Sequence, residues 1–208
     1  MSSRLYYVHD PMCSWCWAFR PVLVRIVGAL PAGVPLVRLL GGLAPDSDQP
    51  MPRPLQEYLQ TTWHTIQQRV PGTSFNFDFW SRCRPRRSTY PACRAVIAAR
   101  QQGAEFEPAM ILAIQQAYYL RARNPSDDAT LIALAGELEL DQARFARELN
   151  DPATHRQLTQ EIDFAQSIGA EGFPSLILER RGRYHRLNHD YQDAAPLLTQ
   201  LAGWLAED

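Results

Sequence analysis

The sequence predicts an α/β fold in which strands near both ends of the chain form one sheet, with a block of helices inserted between them. Short runs rich in β-branched and aromatic residues occur only near the two ends of the 208-residue chain. The roughly one hundred residues between these runs carry apolar side chains at helical spacing. A chain with 46% hydrophobic and 21% charged residues has the composition of a globular protein with a buried core. We therefore expect the order βαβ, a helical block, then ββα.

The charges of the chain are nearly balanced, with 21 basic and 22 acidic residues and a net charge of -1. Such a chain has no overall field that would attract nucleic acid or an anionic membrane. Its apolar stretches are shorter than the roughly 20 residues needed to cross a bilayer, and no stretch of signal-peptide type follows Met1. We expect a cytoplasmic protein with a local binding site and with neither nucleic acid nor a membrane as its partner. The oligomeric state stays open.

The first βαβ unit is predicted from local patterns near the start of the chain. Arg4–Val8 has the residue types of a buried strand. Apolar residues then recur at helical spacing from Cys13 until Gly28 weakens the pattern. Pro21 falls inside this helix and should kink it, because proline lacks a backbone donor and crowds the preceding turn. Val34–Leu40 is the second predicted strand.

The helical block begins after a loop rich in Pro, Asp and Ser at Ala44–Pro54. Apolar faces and capping residues predict successive helices, whose limits are Leu55–Val70, Pro91–Gly103, Phe106–Tyr118, Asp127–Leu138, Asp141–Leu149 and Asp151–Gly169. The segment Phe75–Phe79 alternates aromatic and other residues over a short length, and we expect it to be a loop that packs on the core.

The strand pattern returns near the end of the chain. Ser175–Glu179 and Arg183–Leu187 flank Arg180-Arg181-Gly182, which predicts a hairpin. A last helix follows, with an apolar face that runs from Leu197 to Leu205. No repeat with a period of about 20 to 50 residues is evident.

Cys13 and Cys16 form a C-x-x-C pair at the predicted change from strand to helix. A thiol in the first helical turn lies near unpaired backbone N–H groups and the positive end of the helix dipole. Such surroundings lower a cysteine pKa to roughly 3.5–7.5. We expect Cys13 to be the nucleophile and Cys16 to resolve the mixed disulfide. This requires both sulfurs to be open to solvent and free of any bound ion. The dithiol carries two electrons itself, so no organic or metal cofactor is required.

Two alternatives for the pair stay open. C-x-x-C also binds zinc, but a zinc site needs two further ligands. Cys83, Cys93 and His9 are the available residues, and their spacing is not that of a second zinc-binding pair. The other alternative is two core cysteines without a function. We expect Cys83 and Cys93 to be unpaired, with Cys93 in the core, and we expect no metal site.

Two segments resemble a known family. The first is Asp10–Trp17 (DPMCSWCW), with Pro21 five positions after the second cysteine, and the second is Gly172–Ser175 (GFPS) just before a strand. They are similar to the active-site helix and the cis-proline loop of thioredoxin-fold oxidoreductases of the DsbA superfamily, and most similar to its cytoplasmic FrnE-like branch. The resemblance implies a thioredoxin fold in residues 1–45 and 170–208, interrupted by an inserted all-helical domain in residues 46–169.

The resemblance also implies a substrate site beside Cys13. A cis Phe173–Pro174 bond would let the backbone of Phe173 pair with an extended peptide. Without the resemblance, a trans proline at the start of an edge strand would be expected. Trp15 and Trp17 either form an apolar rim for substrate or pack in the protein, and Ser14 lies between the cysteines.

The residue pair between the cysteines is expected to set the redox potential. Oxidants of the DsbA type often hold Pro-His there, where the imidazole helps to stabilise the thiolate. Ser14-Trp15 supplies no cation. We therefore expect a weaker oxidant, acting as a reductase or isomerase.

Together these features predict a thiol–disulfide oxidoreductase or isomerase that acts on polypeptide or small-molecule thiols and disulfides. Glutathione is a candidate co-substrate. The first alternative is a glutathione-dependent isomerase or transferase, similar to hydroxychromene-carboxylate isomerases and kappa-class transferases. Those relatives typically carry serine in place of the attacking cysteine, whereas this chain keeps both thiols. The second alternative is a chaperone or adaptor without enzyme activity that binds its partners through the helical block.

Overall fold

The computed structural model describes residues 3–206. Residues 1–2 and 207–208, which the predicted sheet domain includes, lie outside the described residues. The sheet has four strands, which are β1 (Arg4–His9), β2 (Leu36–Leu40), β3 (Ser175–Arg180) and β4 (Arg183–Leu187). Their spatial order is β2-β1-β3-β4, with β1 parallel to β2 and antiparallel to β3, and β3 antiparallel to β4.

Helix α1 (Ser14–Gly28) follows β1, and the last helix, α9 (Ala195–Ala206), follows β4. The inserted helices are α2 (Arg53–Arg69), α3 (Phe79–Arg82), α4 (Tyr90–Arg100), α5 (Phe106–Tyr119), α6 (Asp128–Glu137), α7 (Gln142–Leu149) and α8 (Pro152–Ser167). The predicted α/β class and the order βαβ, helices, ββα are confirmed. None of the helices in residues 3–206 combines the length and the apolar character that a membrane span needs.

Side chains alternate along β1 between the two faces of the sheet, and both faces are buried. Leu5 and Tyr7 point to the side covered by α1 and α9, where they join the core of the sheet domain. Tyr6 and Val8 point to the opposite side. Ala165 of α8 packs on that second side, so the last inserted helix covers part of the sheet.

Helix α4 lies at the centre of the inserted block. Its residues from Pro91 to Ala99 are all buried, as expected of a helix that other helices surround. The buried charge on this helix, Arg94, is paired. Its guanidinium donates to both carboxylate oxygens of Asp46, at 2.9 and 2.8 Å, and to the carbonyl oxygen of Leu149 at 3.0 Å. These bonds compensate for the loss of hydration.

The structure refines three local predictions. Phe75 and Phe77 pack on the core as expected, but the loop assignment is wrong at Phe79, which begins the short helix α3. The second strand begins at Leu36 rather than at residue 34, where the backbone N–H still bonds to residue 31 in a turn. Helix α1 continues through Pro21 without a break.

Trp63 of α2 is the centre of an aromatic cluster in the inserted block. It is fully buried and packs against the rings of Phe75, Phe77, Phe79, Trp80, Tyr118 and Tyr119. These rings come from α2, α3, α5 and the connection between α2 and α3. The cluster therefore joins elements that are distant in sequence.

We expect Trp63→Ala to lower the free energy of unfolding by about 3–5 kcal/mol, because it leaves a large cavity in this cluster. Urea unfolding followed by circular dichroism measures the change. Tyr58 lies on the same helix with 65% of its surface exposed. Tyr58→Ala is therefore the control, with an expected change within about 0.5 kcal/mol. Equal losses in the two variants would contradict the central role of Trp63.

Candidate active site

The C-x-x-C pair lies where β1 passes into α1, as the sequence predicts. Cys13 is the N-cap residue of α1, with an extended backbone at φ -81° and ψ 116°. Its backbone N–H donates to the carbonyl oxygen of Asp10 at 3.0 Å, and its own carbonyl accepts from the N–H of Trp17 at 3.1 Å. Cys16 follows in the first turn. Both thiols are free.

The two thiols are electrostatically different. The thiol of Cys16 donates to Cys13 and is the main cause of a lowered pKa at Cys13. Burial opposes this effect, whereas the backbone N–H groups of Cys16 and Trp15 support it. The pKa of Cys16 is raised well above its usual value, mainly by burial and then by the interaction with Cys13. The two shifts favour a thiolate on Cys13 over one on Cys16, which is the order that the expected roles of nucleophile and resolving cysteine require.

The expectation that both sulfurs are open to solvent is wrong. Cys16 is fully buried, and Cys13 is buried as well, with only 7% of its surface exposed. The loop before β3 explains part of this covering, since the Sγ of Cys13 lies 3.7 Å from the carbonyl oxygen of Phe173. The resolving role expected of Cys16 requires contact only with the neighbouring sulfur and not with the solvent. The role expected of Cys13 would depend on its small exposed surface.

The peptide bond between Phe173 and Pro174 is cis, which confirms that prediction. The ring of Phe173 lies directly against the backbone of Gly41 at the end of β2. A Cβ atom at Gly41 would overlap with Cε1 of the Phe173 ring, so the close approach needs glycine. The hydroxyl of Ser175 donates to the carbonyl oxygen of Gly172 at 2.7 Å and closes the loop on itself.

The two tryptophans of α1 have different surroundings. Trp15 lies with its ring centroid 4.9 Å from that of Tyr191. Both rings line a cavity of about 330 Å³, together with Arg69, Val70, Phe173, Asp190 and Gln192. Trp17 instead stacks on Tyr119 at 5.8 Å and donates its indole N–H to the carbonyl oxygen of Ser74 at 3.1 Å. Trp15 therefore lies at the rim and Trp17 packs on the helical block. Ser14 begins α1 and is partly exposed.

Sequence reasoning missed Asp10. Its carboxylate is completely buried and accepts hydrogen bonds from three separate parts of the chain. The donors are the N–H of Met12 at 2.7 Å, the N–H of Leu43 at 2.8 Å, the hydroxyl of Thr89 at 2.6 Å and the thiol of Cys93 at 3.4 Å. Its place between a strand and C-x-x-C was a signal, but its distant partners are not visible in the sequence.

The charge of Asp10 acts on the nucleophile. Burial raises the pKa of Asp10, while hydrogen bonds from Thr89 and from the backbone of Leu43 and Met12 oppose that rise. The negative charge of Asp10 in turn works against the thiolate of Cys13. It thus opposes the stabilisation that the α1 N-terminus provides.

The other residues considered as zinc ligands lie in different surroundings. His9 is buried and stacks on Tyr7 at 4.9 Å, and burial, followed by Arg38 and Arg100, lowers its pKa to about 3. Cys93 lies in the core and Cys83 is partly exposed, both as free thiols, as predicted. Within residues 3–206, no three His, Cys, Asp or Glu side chains lie together as metal ligands would.

We expect Asp10→Asn to lower the pKa of Cys13 further, because the substitution removes a nearby negative charge. Thiolate absorbance followed against pH measures the change, in a background where Cys83 and Cys93 are replaced by Ser. Asp48→Asn is the control, since Asp48 is exposed and should leave the titration unchanged. An unchanged or higher pKa in folded Asp10→Asn would contradict this electrostatic role.

Comparisons with solved structures agree with the geometry. A protein from Nitrosomonas europaea, whose assignment as a protein disulfide isomerase is itself provisional, is 26% identical over 99% of this chain and 98% of that one, with a TM-score of 0.85. The cytosolic disulfide reductase DsbM from Pseudomonas aeruginosa is 26% identical over 97% of this chain and 98% of its own, with a TM-score of 0.76. DsbM has also been solved with glutathione.

A curated relative has a different description. The ClpXP adapter protein SpxH from Bacillus subtilis is 22% identical over 174 residues, which is 83% of this chain. The chain spans 57% of the length of that relative.

A family model described as Thioredoxin matches residues 6–185. This range contains most of β1, the cysteine pair, the inserted helices and the cis-proline loop. The predicted resemblance to the DsbA superfamily is confirmed by this family match and by the structural neighbour DsbM. On this match, and on the four-stranded sheet that supports it, the chain belongs to the thioredoxin family.

Proposed function

We propose that this protein is a thiol–disulfide oxidoreductase that acts through Cys13 and Cys16. The observation that carries the proposal is the pair of free thiols at the N-terminus of α1, with the Sγ of Cys13 3.7 Å from the carbonyl oxygen of Phe173 in the cis-proline loop. The opposite pKa shifts of the two thiols support it. Two solved structures that are 26% identical over nearly the whole chain carry names for disulfide chemistry, which supports the general class. The dithiol itself supplies the two electrons, so the proposal requires no further cofactor.

The reaction proceeds in two exchanges. The thiolate of Cys13 attacks one sulfur of a substrate disulfide, forming a mixed disulfide and releasing the other substrate sulfur as a thiolate that takes a proton from water. Cys16 then loses its proton and attacks the Sγ of Cys13. The Cys13–Cys16 disulfide forms and the second substrate thiolate leaves. The substrate gains two electrons and the protein loses two, so an external thiol must reduce the protein again.

The proposed direction is reduction, with isomerisation as the related reaction of the same dithiol. A strong oxidant needs a stabilised thiolate in its reduced form. Here Ser14-Trp15 offers no cation, and the charge of Asp10 opposes the thiolate of Cys13. Both effects make the reduced pair a better electron donor. The description of the neighbour DsbM as a cytosolic disulfide reductase supports this direction and a cytoplasmic location.

Substrate is proposed to bind at the cavity beside Trp15 and Phe173, with Pro174 fixing the loop and Ser14 at the helix start. Glutathione is the small thiol we propose as a co-substrate, and the solved complex of DsbM with glutathione supports it. The cavity contains Arg69 and Asp190, and backbone N–H groups lower the pKa of Asp190. An opposite pair of charges fits the carboxylate and ammonium groups of an amino-acid thiol.

Adaptor function is a second candidate, because the curated relative SpxH is named as an adapter of ClpXP. An adaptor acts by binding and does not need a redox-active dithiol. Removal of the thiols separates the two proposals. An oxidoreductase would lose its activity without them, whereas an adaptor would still bind its partner. A polypeptide partner is common to both.

We expect Cys16→Ala to accumulate a mixed disulfide between Cys13 and one half of a disulfide substrate, because the resolving thiol is missing. Cys13→Ser should form no adduct and should lose insulin reduction. Mass spectrometry of the trapped species and an insulin turbidity assay measure the two effects. Cys83→Ser is the matched control and should retain activity. Equal trapping by both variants would contradict the assigned roles, and an inert wild-type pair would favour the adaptor.

We expect the reduction potential of the Cys13–Cys16 couple to lie well below the value of about -120 mV that marks a strong oxidant. The physical reason is the weak stabilisation of the reduced form. Equilibration in glutathione buffers of known ratio, with the oxidised fraction read by tryptophan fluorescence, measures the potential. The Cys13→Ser protein should show no transition. A potential near -120 mV would contradict the reductive direction.

A further inference from the structure

A crevice of about 180 Å³ lies between α1 and α5, away from the cavity at Trp15 and Tyr191. One wall is a single face of α1, formed by Cys16, Arg20, Leu23, Val24 and Val27. The other wall is a single face of α5, formed by Pro108, Ile111, Leu112 and Gln115. Tyr7 of β1 and Arg38 of β2 complete it. The crevice and the Trp15–Tyr191 cavity share no lining residue.

The walls of the crevice are mainly apolar and incompletely covered. Val24 is 57% exposed and Val27 is 40% exposed, although both face another helix across the gap. Ile111 and Leu112 of the opposite wall are partly exposed as well. Apolar surface left in contact with water favours any occupant that removes it from water.

The charged side chains that line the crevice, Arg20 and Arg38, are both cations. The guanidinium of Arg20 has no hydrogen bond or ion pair with any residue in the described range 3–206. Arg38 has only a loose partner, since its Nη1 lies 3.8 Å from Oε2 of Glu107, and the same carboxylate accepts from Arg100 at 3.1 Å. No Asp or Glu is among the described residues that line the crevice. An occupant with a negative charge is therefore favoured over a neutral or positive one.

A further polar atom on the wall lacks a partner. The side chain of Gln115 is almost fully buried, and within residues 3–206 no donor reaches its Oε1. Burying an acceptor without a donor is costly. A rotation of this amide on binding would turn its Nε2–H groups toward the crevice, where they could donate to an acceptor on an occupant.

We propose that the crevice binds a small carboxylate with an apolar body, the carboxylate lying between Arg20 and Arg38. An apolar protein cavity of about 150 Å³ holds one benzene molecule, so this volume admits a single six-membered ring with a short acidic group. The apolar body covers Val24 and the facing residues of α5. This site goes beyond the proposed redox function, but Cys16 in its wall places the ligand beside the resolving cysteine.

The first experiment uses cyclohexanecarboxylate as the probe and cyclohexylmethanol as its uncharged counterpart. Calorimetric titration of the wild-type protein should show saturable binding of the carboxylate and binding of the alcohol that is roughly tenfold weaker. The double variant Arg20→Gln, Arg38→Gln should lose roughly tenfold in affinity for the carboxylate and little for the alcohol. Arg53→Gln on α2 is the control and should bind like the wild type. Absence of saturable binding, or equal affinity in the double variant, overturns the proposal.

A second pair of variants keeps the test valid if the double variant does not fold. Val24 is exposed, so Val24→Glu and Val24→Gln both leave the core intact. The glutamate should weaken carboxylate binding relative to the glutamine, because the two differ only in charge. Equal affinities would overturn the proposal. The titrations need no turnover, so a failure of the redox function would leave a positive binding result unaffected.

Discussion

The buried carboxylate of Asp10 is the constraint on which the candidate site depends. It binds the turn that carries Cys13 through the N–H of Met12, and it binds the connection after β2 through Leu43. The hydroxyl of Thr89 and the thiol of Cys93 also donate to this carboxylate and so connect it to the start of α4. A charge out of contact with water is tolerated only when such donors surround it. One side chain therefore fixes the sheet domain and the inserted helices around the cysteine pair.

The carboxylate of Asp10 and the N-terminus of α1 both affect how readily Cys13 becomes a thiolate. Backbone N–H groups at the start of α1 and the thiol of Cys16 favour a thiolate on Cys13, and the charge of Asp10 disfavours it. A neutral thiol as the main donor is weaker than a cation would be. The balance leaves a nucleophile that is activated but not strongly stabilised, which agrees with a pair that donates electrons.

Much of the fold was predictable because its signals are local. The alternation along Arg4–His9 and the caps of the helices are set by residues close in sequence. The short helix at Phe79 escaped prediction because its four residues carry too few turns to show a period. Burial of Cys13 and the role of Asp10 were not predictable, since they depend on Phe173, Thr89 and other residues far along the chain. The resemblance to a family supplied the cis proline, which residue statistics alone did not favour.

Helix α1 is the wall shared by the two binding spaces of the molecule. Trp15 faces the cavity beside Phe173, whereas Cys16 and Arg20, at helical spacing, face the crevice toward α5. In the proposed mechanism the resolving sulfur lies between a substrate side, which it reaches only through Cys13, and a second side lined by cations and apolar groups. Burial raises the pKa of Cys16 and the interaction with Cys13 adds to the rise. The proposed ligand would lie on the face of α1 that carries Cys16 and Arg20, so the two proposed binding spaces are built on neighbouring faces of one helix.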